Sequence, residues 1–81
     1  MSHNEIAKKC QSFLEQKGFI IEPSLQDAIY DFSEVVADMS VLTYQMSEKE
    51  LQDWFANYVW NRSWTNKELQ DTLTKQGKNL K

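Results

Sequence analysis

Apolar residues recur along this chain at three- and four-residue steps, in four separate runs, which is the period of one face of an α-helix. Ile6, Cys10, Phe13 and Leu14 form the first run, and it stops at Gly18, a natural left-handed residue after a helix end. The spacing predicts a helix over 3–17. Phe19, Ile20 and Ile21 follow as an extended connector, because Pro23 disfavours helix at Glu22 before it. Three apolar side chains in a connector are expected to tuck under the bundle. Leu25, Ala28, Ile29, Phe32, Val35, Val36 and Met39 make the second stripe, the central core helix. No Gly or Pro stops it, so it is expected to start after Ser24 and run to about Tyr44. Leu51, Trp54, Phe55, Tyr58 and Val59 make the bulkiest stripe, over 48–61. Leu69 and Leu73, with Leu80 beyond Gly77, are the only apolar residues of a fourth helix over 66–76. So thin a face makes that helix the marginal element.

Four pairs of a hydroxyl residue and an acid three positions later mark the starts: Ser2/Glu5, Ser24/Asp27, Ser47/Glu50 and Thr65/Glu68. In a capping box the hydroxyl accepts from the third amide of the helix and the acid reaches back to the cap amide. Met1 with Ile6, Met46 with Leu51 and Trp64 with Leu69 have the spacing of hydrophobic staples across the same starts.

Two glycines and one proline in 81 residues supply too few turn residues for a small all-β fold. The expected architecture is therefore all-α: a small four-helix bundle-like domain spanning 1–81, with a short, marginal C-terminal helix. A single cysteine excludes an internal disulfide framework and a thiolate zinc cluster, which favours a reducing compartment, the cytoplasm in its simplest form. No apolar run reaches the ~18 to 20 residues of a membrane span, and no signal segment is visible at the start.

Catalytic chemistry finds little footing. His3 has no second histidine or nearby cysteine as a partner, and Cys10 lies on an apolar helix face, where a thiol behaves as a small hydrophobe. Asp27, Asp31, Glu34 and Asp38 run along a helix rather than through a calcium loop. Phosphate-loop, dinucleotide and zinc spacings are absent. The expectation is a non-enzymatic protein with no cofactor and no metal.

Charge changes the picture more. Asp27, Asp31, Glu34 and Asp38 form an outward ridge on the second helix with no basic residue on that helix to offset them. Residues 22–53 hold eight acids against Lys49, a net of −7, whereas residues 62–81 hold five basic residues against two acids, a net of +3. Such asymmetry steers charged partners and can drive head-to-tail self-association, unless the basic end folds over the ridge of its own chain.

On the third helix, with Leu51 at 0° and roughly 100° per residue, Trp60 falls at about 180°, beside Asp53 and Asn57 and opposite the apolar stripe. An indole there, with Trp64 four residues on, has the make-up of a binding hot spot; the alternative is a second small core under the fourth helix. The function expected is a small acidic protein–protein interaction module, an inhibitor or adaptor. It would use Asp27, Asp31, Glu34, Asp38, Asp53, Asn57, Trp60 and Trp64 against a protein with a basic or amphipathic surface. One version is a nucleic-acid mimic of the kind made by phages and mobile elements. The alternatives are a helix-turn-helix DNA-binding regulator built from the third and fourth helices, with Asn66 and Lys67 at the recognition end, and a structural bundle that dimerises through the fourth helix. A sequence pI near 5.0 argues against direct nucleic-acid binding.

Overall fold

A computed structural model describes residues 3–39, 45–78 and 80, and among those residues the chain forms four α-helices of ten residues or more and no strand. They are α1 (His3–Gln16), α2 (Pro23–Ala37), α3 (Glu48–Ser63) and α4 (Lys67–Gln76). The bundle-like all-α architecture read from periodicity is the one observed.

α1 ends as its sequence dictates. Gly18 takes φ +92°, and the Phe19 and Gly18 amides turn back to the carbonyls of Leu14 and Glu15, at 3.0 Å each. This is the Schellman closure, sealed by burial of Phe19 and Leu14 together in the core.

The four expected starts fare differently. Ser47/Glu50 forms both halves of the capping box. Ser2 and Met1 lie outside the described residues. α2 starts two residues earlier than expected, because Pro23, with its φ already fixed near the helical value, serves as the first residue, and Glu22 becomes an N-cap without a side-chain bond. The Ser24/Asp27 box therefore does not form, and the Ser24 hydroxyl instead meets that of Thr72 at 2.7 Å. At α4 the cap is Asn66, not Thr65: Asn66 Oδ1 accepts from the Leu69 amide at 3.1 Å, while the Thr65 hydroxyl donates to the Arg62 carbonyl.

α2 also ends early. Its last helical residue is Ala37, and the Asp38 and Met39 amides close the end on the carbonyls of Glu34 and Val36. The expected continuation toward Tyr44 falls on residues 40–44, outside those described. α3 runs two residues beyond the expected 61, to Ser63.

The core joins all four helices. Phe55 of α3 is met edge-on by Phe13 of α1 at 6.2 Å and by Phe32 of α2 at 5.2 Å, and Tyr58 tilts against Phe32 at 5.4 Å. Ile6, Leu14, Leu25, Ile29, Leu51, Val59 and Leu69 are sealed around this aromatic centre. Two expected stripes are turned. On α2, Val35 and Met39 lie in solvent and Ser33 is buried in their stead, its hydroxyl donating to the Ile29 carbonyl at 2.6 Å. On α3, Trp54 is 43% exposed, and Ala56 and Ser63 take its place in the interior. In both cases the buried replacement is small, so it lets a neighbouring element come close where a larger group would hold it off.

α4 is fastened at two levels. Leu69 is fully buried and Leu73 packs partly against the core. Beyond this, the Gln76 amide brackets the connector, accepting from the Ile20 N–H at 2.8 Å and donating to the Ile20 carbonyl at 2.9 Å and to Glu22 at 3.0 Å. Lys75 adds an ion pair to Glu22 at 3.3 Å. In the connector itself Phe19 is buried and Ile21 half-buried, but Ile20 stands 72% exposed, contrary to the expectation that all three tuck in. Its backbone, not its side chain, is what the fold uses.

Candidate interaction surface

Asp27, Glu34 and Asp38 are exposed on α2, as their spacing requires. Asp31 is not free. Arg62 Nη2 reaches it at 2.7 Å, and Nη1 of the same guanidinium donates to the Tyr58 hydroxyl at 2.8 Å. The ridge has no counter-charge on its own helix, but α3 supplies one at its second position. The alternative in which the basic end folds over the ridge is thus met in part, at Asp31; which residues pair was not legible, because Arg62 lies 31 residues away and no local spacing pairs it with Asp31.

Trp60 and Trp64 form the other cluster. They are 52% and 68% exposed and meet edge-to-face, ring centres 5.9 Å apart at 90°. With the cap of α4 at Asn66, Trp64 no longer directly precedes the cap as the expected staple with Leu69 requires; Leu69 is sealed in the core while the Trp64 ring meets that of Trp60. The two indoles rim a groove between α3 and α4 of about 130 Å³, lined also by Ser63, Gln70, Leu73 and Thr74. Of the two expected environments for Trp60, an open face or a second small core, the observed one is an open groove with an apolar floor.

The ridge and the indoles lie on different sides of α3. Two residues on a helix are turned about 200° from one another at roughly 100° per residue, so Arg62, which faces α2, and Trp60, which faces α4, point in opposing directions. Asp53 and Asn57 are exposed and share the arc of Trp60 rather than that of Arg62. The eight candidate residues therefore divide into an acidic group on α2 and a mixed polar and aromatic group on α3.

Three groups with possible chemistry have structural surroundings. Burial pushes the Cys10 thiol up to about 12, so it stays protonated at neutral pH. His3 stacks on Tyr30 with ring centres 6.0 Å apart, and its Nε2 lies 3.4 Å from the Tyr30 carbonyl oxygen. Hydrogen bonds from Gln76 and then from Lys75 hold the Glu22 carboxyl below its usual range. No group of three or more metal-binding side chains gathers among the described residues, and none of their helices is long and apolar enough to cross a membrane.

Compared with known protein families, with curated proteins and with solved structures, the chain has no significant match.

Proposed function

We propose that this protein is a helical interaction module that grips a partner protein through Trp60 and Trp64, with the acids of α2 steering the encounter. The observation that carries this is the pair of adjacent, half-exposed indoles at the mouth of a groove. Large aromatic side chains left in water give up apolar burial on the order of 25 cal/mol per Å², and tryptophans in such a setting are the residues most often found to anchor protein contacts.

The acids play a different part. Asp27, Glu34 and Asp38 lie on the far side of α3 from the indoles, so they act over distance rather than at the contact. Their field reaches about 8 to 10 Å at physiological salt and favours approach of a basic surface. A mimic of a phosphate row gains less support, because Arg62 neutralises the second carboxylate of the four. Direct DNA binding gains none from α4, whose Lys67 and Lys75 are balanced by Glu68 and Asp71. Self-association through the apolar face of α4 is disfavoured too, since Leu69 and Leu73 turn toward the chain's own core.

Affinity capture from an extract of the source cells tests the proposal, comparing the intact chain with Trp60→Ala/Trp64→Ala and with Asp27→Lys/Glu34→Lys. A protein retained by the intact chain should be lost with the aromatic variant, at a cost of about 2 kcal/mol or more. The charge variant should retain it more weakly only at low salt. Equal capture by the aromatic variant, with its helical circular dichroism intact, would remove the indoles from the function.

A further inference from the structure

Asp53, Asn57 and Trp60 on α3 and Trp64 at its C-cap, which keeps right-handed helical backbone angles, stand at i, i+4, i+7 and i+11. At roughly 100° and 1.5 Å per residue they fall within about 60° of one another and make a straight seam about 16 Å long. All four side chains are exposed. Alternating steps of four and three residues are the spacing with which one helix receives the ridge of another. The seam is polar where it begins and aromatic where it ends, and its aromatic end opens into the α3/α4 groove.

Both ends constrain the occupant. The groove, at about 130 Å³, is close to the ~150 Å³ that holds a benzene-sized group, so it admits one side chain of leucine size. At the other end, Asp53 lines a shallow concavity with Lys49 and with Lys17 of α1, so Glu48, Glu50 and Asp53 stand against two lysines, a net of −1. Glu50 is engaged by the Ser47 cap. Asp53, two turns before Trp60, joins no ion pair among the described residues. A helix laid along the seam with its apolar residue in the groove brings another side chain to that carboxylate, and a cation there is complementary. A second copy of this chain offers Asp53 and Asn57 along the same line, not a cation.

We infer that the seam receives an amphipathic helix of a partner protein, which seats one apolar side chain at Trp60 and Trp64 and sets a lysine or arginine about two turns away against Asp53. The inference rests on the aromatic anchor proposed above and adds the shape and charge of what it holds.

The test is a titration of the ¹⁵N-labelled full chain with three alanine-rich helical peptides of roughly 18 residues. The peptides share one leucine stripe and differ only in whether the position two turns from its end is Lys, Gln or Glu. The lysine peptide should move the indole N–H signals of Trp60 and Trp64 and bind about threefold to tenfold more tightly than the glutamate peptide at low salt. Asp53→Lys, a change at an exposed position, should reverse that order. Trp60→Ala should weaken all three at least tenfold. Equal binding of the three peptides at the indoles overturns the basic-helix occupant and leaves the aromatic anchor standing. Peptides that leave the indole signals unmoved, or that act only at Asp27, Glu34 and Asp38, overturn both. Indole shifts that follow protein concentration without any peptide assign the seam to a second copy and overturn the inference.

Discussion

A single carboxyl illustrates how a surface residue becomes structural here. Glu22 caps no helix through its side chain, yet it takes hydrogen bonds from both Gln76 and Lys75 of α4. These bonds favour its charged form, so its folded value lies below its unfolded one. Such a group stabilises the fold above its unfolded value and loses that contribution as pH falls through the folded one. Urea unfolding between pH 6 and 3 should therefore show a steeper acid loss for the intact chain than for Glu22→Gln. Parallel curves would mean that Glu22 contributes nothing to holding α4. Arg62 is a contrasting case. Its pair with Asp31 is half-exposed, and bridges of that kind contribute about 0 to 1 kcal/mol, so its main effect is to split the charge pattern of α2.

Among the elements, α4 has the bounds its spacing predicts, and few groups hold it to the bundle. A helix with two leucines in ten residues looks weakly held, but one of them, Leu69, is completely enclosed. Leu69→Ala should cost about 2 to 5 kcal/mol, a large share of what a chain of this size can hold. Gln76→Ala should cost about 1 kcal/mol. Urea midpoints followed by circular dichroism give the order, and a larger loss for Gln76→Ala would mean that polar bridging, not burial, docks the helix.

Helix number, the Gly18 stop and the Ser47 cap were legible because each depends on neighbours within four or five residues. Residues that depend on distant neighbours were not. Ser24 reads as a cap by its local spacing, but Thr72 claims its hydroxyl. Trp54 reads as core by period, but the arc of α3 that faces inward is turned toward Ala56 and Ser63, and a periodicity cannot tell which side of a broad stripe is covered. Trp60 and Trp64 could be picked out as unplaced indoles, whereas the groove they rim needed Gln70, Leu73 and Thr74 of another helix.

For the molecule as a whole, the separation of charge along the sequence is only partly a separation in space. Arg62 and Lys75, from the basic end, have crossed to Asp31 and Glu22 at the acidic one. Acids that join no ion pair among the described residues include Asp27, Glu34 and Asp38 on one side of α3 and Asp53 on the other, so the negative potential of the acidic half is divided between two sides of the molecule.

The Gln76 bracket carries a consequence for how the molecule breathes. Ile20 belongs to no helix and its side chain is in water, yet both polar groups of its backbone are satisfied by a side chain 56 residues further on. Its amide proton should exchange with deuterium slowly, at the frequency with which α4 lifts away, and Gln76→Ala should release it to the fast rate of an open loop. That one proton thus serves as a clock for detachment of the last helix.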